Sequence, residues 1–399
     1  MRRDAGSPRG RFPSVPAPVL AILLFVLSLS AGLSFGNSYP LPAVENDASE
    51  YLSLARNVAA GDGFSYDGTT PAVYRPPLFS LLLGGWFRIT GTSSVQSAVL
   101  FQSFVHALGV VASFLLFLEI LTSPWWSAGA AVFIALNPLL VTRVVFVLQE
   151  PTLVLFTTLA VWLSVRMLQA PSAGRAALAG AAWGLCTLGK VVTWFAPFLL
   201  LAMRLLPSRI RWVWRSREAA ALLCCFLGVL APWTVRNLVH FGRLIPVNDQ
   251  GTGMLAWNVQ QAEIPGEPPG AVVFEEIRRK MPRPEDRQAA YREYVWNHLR
   301  YFLVDRVIRN ALHFASPARD WWWSRGRYGA GEARPWYWTL HDYAFRTLFL
   351  FLVLGTVRWA AGRAGMPFGF LLLFYWAYWI EHSLVLGTPR FGLAVYPLL

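Results

Sequence analysis

Long, continuously apolar stretches dominate the chain, separated by short segments in which arginine, proline and glycine collect. The apolar stretches fall at roughly residues 18–36, 95–120, 125–142, 150–168, 175–190, 191–206, 218–237, 343–359 and 366–386. A helix crosses a hydrocarbon core in ~20 apolar residues, and lipid forces each span to satisfy its own backbone hydrogen bonds. Strands of a membrane barrel would alternate apolar and polar positions, and these runs do not. The pattern predicts an all-α polytopic membrane protein, a transmembrane helix bundle of about nine or ten spans. Apolar character is nearly unbroken from 175 to 206. The break belongs at Gly189-Lys190, because a lysine at mid-bilayer is costly and a turn there returns it to the interface. Tyr396 to Leu399 read as the start of a further span.

The segments between the runs carry their own periodicity. Tyr51, Leu54, Ala55 and Val58 recur every three to four residues, so 47–60 reads as a short amphipathic helix with Asp47 at its start. Gly61-Asp62-Gly63 stops it. Arg75-Pro76-Pro77 then enters an apolar segment, Leu78 to Phe87, that is too short to span. Farther along, Pro284-Glu285-Asp286 is a helix start, followed by an apolar stripe of Tyr291, Tyr294, Val295, Leu299, Phe302, Leu303 and Val307. Beside the tryptophans at 321–323, 336 and 338, that stripe predicts a lid resting on the bilayer interface.

Composition agrees with this picture: 55% of the residues are hydrophobic and 14% charged. The net charge of +13 raises nucleic acid as a partner, but the basic residues sit in short loops between apolar runs, which argues against it. Three cysteines, Cys186, Cys224 and Cys225, lie in apolar runs and form neither a metal-spaced motif nor a disulfide framework. Arg2, Arg3, Arg9 and Arg11 before an apolar stretch have the layout of a signal peptide, although an uncleaved first span fits the topology better. With the N-terminus inside, the inner segments carry Arg166 and Arg175, the arginines of 204–217, and Arg358 and Arg363, as the positive-inside rule asks. The chain then divides into a cytoplasmic tail (1–17), a bundle (18–237) that includes a first outer loop (37–94) and an outer turn at 143–149, an outer segment (238–342) and C-terminal spans (343–399).

That orientation brings Asp47, Arg75, Glu150, Lys190, Arg236, Asn237 and Arg390 to the extracytoplasmic ends of spans, and chance would scatter them over both faces. Each also has a purely structural alternative. Asp47 suits the start of a surface helix and Glu150 a helix dipole. Arg75, Lys190 and Arg236 suit interfacial anchoring. Arg390 suits either Glu381 or a phosphate, while Gln102 and His106, in mid-span, read as packing residues.

The order of these motifs resembles a known family. Asp47-x3-Tyr51-x3-Ala55-Arg56-Asn57 with Gly61, then Tyr74-Arg-Pro-Pro77, is similar to the first outer loop of the dolichyl-phosphate-mannose-protein mannosyltransferase superfamily, glycosyltransferase family 39 and its bacterial relatives. Pro232-Trp233-x2-Arg236-Asn237 resembles the end of a later span, and Thr388-Pro-Arg-Phe391 with Tyr396-Pro397 the terminal signature. The resemblance implies a GT-C fold, a bacterial plasma membrane and an inverting transferase. Its donor would be a polyprenyl-phosphate sugar and its acceptor an envelope glycan, lipid or protein. It makes Asp47 the catalytic base. The protein mannosyltransferases have Asp-Glu where this chain has Asp47-Ala48, which counts against protein mannosylation. No Asp-x-Asp stands in the loop, which counts against a metal-dependent, oligosaccharyltransferase-like reaction.

The chemistry suits the residues. An acceptor hydroxyl loses a proton as it attacks, so a carboxylate within hydrogen-bond reach is needed. The departing lipid phosphate gains charge, which Arg75, Lys190 and Arg236 are suited to stabilise. Glu150 is suited to orient sugar or acceptor hydroxyls, and Asn237 and Arg390 join the candidate substrate-binding residues. The lipid-linked sugar is then the donor substrate, with no cofactor and no metal expected. The rival class is a lipid or sugar transporter or flippase, which would place ionisable groups along a path through the bilayer. Here the mid-span regions are almost free of charge.

Overall fold

The computed structural model describes residues 15–38, 47–203, 216–314, 336–361 and 366–385. Every named element among them is helical. Helix α1 (Ala17–Ser38) packs along the longest apolar helix, α4 (Val95–Leu121), and between them lie α2 (Asp47–Ala60) and α3 (Pro77–Thr90). The amphipathic helix expected at 47–60 is therefore α2, and α3 is the short apolar segment that follows it. Gly32 and Gly36 let α1 approach α4 closely, since a Cβ at Gly36 would meet Val99 at 2.8 Å. Ile22, Leu23 and Val26 stay exposed on the far side, as a lipid-facing surface requires.

The apolar run at 125–142 is broken rather than continuous. Helix α5 (Pro124–Ala135) ends, and Asn137 caps a new short helix, α6 (Pro138–Arg143), by accepting the Leu139 N–H at 2.9 Å. Proline at the first helical position fixes the restart. The next residues, 144–149, are irregular yet wholly buried. Non-helical backbone at membrane depth requires protein partners. Gln102 supplies them, its Nε2 donating to the carbonyls of Arg143 (3.1 Å) and Leu148 (3.2 Å). Gln102 and His106 thus sit as packing residues, His106 lying 3.3 Å from the Ala135 carbonyl, although the Gln102 Oε1 is buried without a hydrogen-bond partner among the described residues. The outer turn expected at 143–149 is a buried strut that shares a core with α2, α3 and α4.

Helices α7 (Glu150–Gln169), α8 (Ala173–Gly189), α9 (Ala196–Ala202) and α10 (Ser216–Phe241) complete the bundle's centre. The expected break falls where the lysine demanded it: α8 ends at Gly189 and a tight turn (Val191–Phe195) precedes α9. Gly180 and Gly184 bring α8 hard against α10, a Cβ at Gly180 standing only 2.0 Å from the Leu222 carbonyl oxygen. Gly180→Ala is therefore expected to force the two helices apart at a cost of ~1–3 kcal/mol. Gly228→Ala on α10, where nothing lies within 4 Å, should be neutral or slightly stabilising. Thermal unfolding of both variants in detergent checks this; equal midpoints would remove the close-packing account.

Beyond α10 come α11 (Gln250–Gln260), α12 (Gly270–Lys280), α13 (Pro284–Asn297), a π-helical turn (Tyr301–Asp305), α14 (Arg306–Phe314), α15 (Trp336–Ala360) and α16 (Met366–Val385). The single helix expected from Pro284 is divided at His298, the last residue bonded to α13. The break divides its stripe as well: Tyr291 and Phe302 are buried, whereas Leu299 and Leu303 are exposed. Residues 321–323 of the tryptophan group lie outside the described residues, and α14 packs against α16. Four described helices, α1, α4, α7 and α10, are long and apolar enough to cross a membrane, and α9 with its preceding turn and α16 supply shorter apolar stretches. The sequence expected nine or ten spans; several runs are subdivided by proline, asparagine or lysine.

Candidate functional site

Helix α2 carries the acids. Asp47 and Glu50 lie three residues apart, hence on one face. Beside and beyond them the helix buries Tyr51, Leu52, Leu54 and Ala55. The helix ends in left-handed Gly61 and Gly63, with the Gly61 and Asp62 N–H groups donating to the Asn57 carbonyl.

The loop that follows is tied together internally. Asn57 Nδ2 donates to the Ser65 carbonyl at 2.7 Å, and Asp67 Oδ1 accepts from the Ser65 hydroxyl and the Thr69 and Thr70 N–H groups. Those backbone donors, first from Thr70 and then Thr69, hold the Asp67 carboxyl well below the usual carboxylate range. The loop delivers the chain to Arg75, where the proline after it disfavours helical backbone. Pro77 then opens α3.

Arg75 turns back onto α2 and bridges both acids. Its Nη2 lies 2.6 Å from Asp47 Oδ1 and its Nε 2.5 Å from Glu50 Oε2. The guanidinium also lies over the rings of Tyr74 (5.1 Å) and Tyr51 (5.4 Å). Burial alone would weaken its hold on the proton, but the Glu50 hydrogen bond, Tyr51 and Asp47 outweigh that and raise its pKa. Tyr66 hydrogen-bonds to Glu50; burial first, and the carboxylate second, push its phenol above the usual range, so it remains a donor. Tyr74 is raised as well, chiefly by burial. An open cavity of about 380 Å³ lies against this cluster, lined by Ser49, Glu50, Ser53, Tyr66 and Tyr74.

The other expected site residues divide into three groups. Arg236 sits on α10 beneath the loop, donating to the carbonyls of Ala72 (2.7 Å) and Phe64 (3.1 Å) and to Asn237 Oδ1 (3.0 Å). Its charge lies 4.8 Å from the Trp233 ring centroid. Asn237 is fully buried and donates to the carbonyls of Ile245 (2.9 Å) and Val247 (3.1 Å), while Trp233 Nε1 donates to Val247 as well. These contacts brace the loops around the site from below. Asn237→Ala would leave the Ile245 carbonyl short of its donor at ~1–3 kcal/mol, while the Val247 carbonyl keeps its bond from Trp233. The expected result is a clearly lower unfolding temperature; an unchanged one would deny the bracing role.

Lys190 caps the end of α8 and lies 3.3 Å from His382 Nε2 on α16. The His382 Nδ1 faces the Tyr378 carbonyl at 2.9 Å, which assigns it the proton and leaves Nε2 to accept from the ammonium. The adjoining Gly189 packs on Leu78 of α3, so this end of α8 meets the chain three residues past Arg75. Glu150 heads α7, buried, at the close of the strut whose residues pack with α2. Arg390 lies outside the described residues.

Sequence reading missed Glu50, although its spacing from Asp47 places both on one helical face. It also missed Arg143, fully buried at the end of α6 with its guanidinium 5.6 Å from the Phe146 ring centroid. Its place before a presumed outer turn gave no sign of burial.

Comparison with known proteins adds to this geometry. The family model described as dolichyl-phosphate-mannose-protein mannosyltransferase matches residues 74–235, which include Arg75, Glu150 and Lys190 and end one residue before Arg236. No curated protein sequence matches significantly. Among solved structures, an oligosaccharyltransferase, AglB, from the archaeon Archaeoglobus fulgidus, solved with an inhibitory peptide and a dolichol-phosphate, is similar with a TM-score of 0.55 at 16% identity, over 96% of this chain and 49% of that one. The same organism's oligosaccharyltransferase with zinc and sulfate aligns with a TM-score of 0.56 at 14% identity, over 95% of this chain and 48% of that one. The chain thus spans about half the length of these structures, and at such identity the likeness establishes the fold. Taken with the sequence match, it makes this chain an all-α, multi-pass membrane protein of the GT-C fold that resembles the dolichyl-phosphate-mannose-protein mannosyltransferases.

Proposed function

We propose that the protein is an inverting glycosyltransferase of a bacterial plasma membrane. It would move a sugar from a polyprenyl phosphate to an envelope acceptor outside the cytoplasm. The observation that carries this reading is the Asp47–Arg75–Glu50 cluster, open to a cavity and held at the start of α3. The AglB likeness supports a bundle able to take a lipid-linked donor, since one such structure holds a dolichol-phosphate.

The geometry refines the roles. Two carboxylates share one guanidinium, so the cluster is net negative and ill suited to hold a phosphate. Arg75 thus orients the acids, and Arg236 positions the loop rather than meeting the lipid phosphate. Lys190, at the end of α8 that meets α3 just past Arg75, is assigned to the phosphate, with Glu150 and Arg390 as further substrate contacts. The acceptor's hydroxyl would enter beside Asp47, which takes its proton as the glycosidic carbon inverts. Charge building on the leaving phosphate would raise the proton affinity of nearby carboxylates at that moment, which favours the transfer.

The test is direct. Purified protein is incubated with radiolabelled polyprenyl-phosphate sugars and membrane extract, and the labelled product is identified. Transfer that survives chelator is expected, because the reading requires neither metal nor other cofactor. Movement of intact donor across vesicles without transfer would replace the transferase with a transporter, and release of free lipid phosphate without any glycosylated product would make it a hydrolase.

A further inference from the structure

The cavity beside Glu50 carries a narrower conclusion, which rests on the transferase reading above. We propose that it is the subsite of a carbohydrate acceptor: the group that receives the sugar is itself a pyranose ring, not a peptide side chain. Its lining gives the chemistry. Ser49 and Ser53 stand four residues apart on α2, on one face, with Glu50 between them. Tyr66 and Tyr74 complete the wall, and each residue is 37% exposed, so the pair presents aromatic side chains to the cavity.

A carboxylate and hydroxyls bind vicinal diols through paired hydrogen bonds, while the C–H face of a pyranose stacks on an aromatic ring. The cavity's volume of about 380 Å³ lies in the range of small-molecule pockets, ~300–1,000 Å³. No lysine or arginine is among the described lining residues, and the Arg75 guanidinium beside them is already held by two carboxylates, which disfavours an anionic ligand. No aliphatic side chain is among the described lining residues, and the wall alternates aromatic rings with hydroxyls and a carboxylate, which suits a polyol better than a lipid tail. A peptide bound as an added strand would need an exposed sheet edge, and the described residues form no sheet. The donor's sugar is bonded directly to its phosphate and follows the cation at Lys190. That leaves this net-negative pocket to the acceptor.

The second outer segment sets the pose of the wall. Asn248 Nδ2 donates to the Tyr74 carbonyl at 3.0 Å, and the Asp249 N–H donates to that of Val73 at 3.1 Å. Gly253 on α11 lies so close to the Tyr74 hydroxyl that a Cβ there would stand 2.7 Å from it. Gly253 therefore tunes the subsite from outside the reacting groups.

Saturation-transfer NMR on the full chain in detergent, with a panel of methyl glycopyranosides as probes, reads binding without catalysis. At least one glycoside should receive saturation at its ring protons. Tyr66→Ala should weaken that signal about five- to tenfold. Gly253→Ala, which shifts the Tyr74 ring without removing any lining group, should change the ranking of the glycosides, and Gly228→Ala should leave it intact. The bound glycoside should persist when an intact polyprenyl-phosphate sugar is added. Absence of transfer to every glycoside, equal signals with and without the Tyr66 ring, or displacement by the donor would each overturn the proposal. A chain that binds glycoside but transfers nothing fails the transferase reading, and one that glycosylates a peptide fails only this inference.

Discussion

Asp47→Asn is expected to lower transfer by about a thousandfold, within the ~10²–10⁴ range of general-base catalysis, while the protein stays folded and retains its lipid donor. Asparagine keeps the shape of the side chain and an oxygen able to accept from Arg75 Nη2, which lies 2.6 Å away in the wild type. What it loses is the capacity to hold a proton. The loss should therefore appear in kcat, with the donor's KM nearly unchanged, because the missing interaction belongs to the transition state. Glu50→Gln is the decisive comparison. Glu50 accepts from both Arg75 and Tyr66, contacts that fix its orientation beside the cavity. Its amide should raise the acceptor's KM and spare most of kcat. If Glu50→Gln eliminates turnover and Asp47→Asn does not, the base is Glu50; full activity in both variants would end the assignment of either acid.

The sequence made the architecture legible because lipid permits so few solutions. Apolar runs of span length must be helices, and Lys190 marked the break between α8 and α9 because a buried ammonium is too costly to leave in mid-bilayer. Asp47 and Arg75 were legible for the same reason: charged groups beside spans need an explanation, and the structure joins them in one ion pair. Other features depend on packing that no local pattern encodes. Residues 144–149 read as a turn because they lie between two spans, and only the donors of Gln102 on α4 reveal why they can be buried. Arg236 read as a phosphate ligand because a cation at a span end fits that role equally well. The loop carbonyls of Phe64 and Ala72 that occupy it lie 172 and 164 residues earlier in the chain, beyond any local pattern. The break at His298 was hidden by an apolar stripe that continues in register through it.

Arg75→Met is expected to damage stability as well as activity. In the wild type the Arg75 side chain is only 8% exposed, and it is bound by two carboxylates whose side chains are 33% and 37% exposed. Without it, Asp47 and Glu50 would face each other one helical turn apart with no guanidinium between them. Removing one partner of a fully buried pair costs ~3–5 kcal/mol, but solvent reaches both acids here, so ~1–3 kcal/mol is the better figure. Arg75→Lys should recover little, since an ammonium cannot span the two acids as the guanidinium fork does. The diagnostic variant is the double one. In Arg75→Met with Glu50→Gln, one of the two opposed charges is gone, so unfolding should return part of the way toward wild type. Transfer should stay lost, because the Arg75 bond that orients Asp47 is gone. Strict additivity of the two losses would mean that Arg75 and Glu50 act independently, and the cluster would then be two separate surface anchors rather than a single device for holding a base against its acceptor.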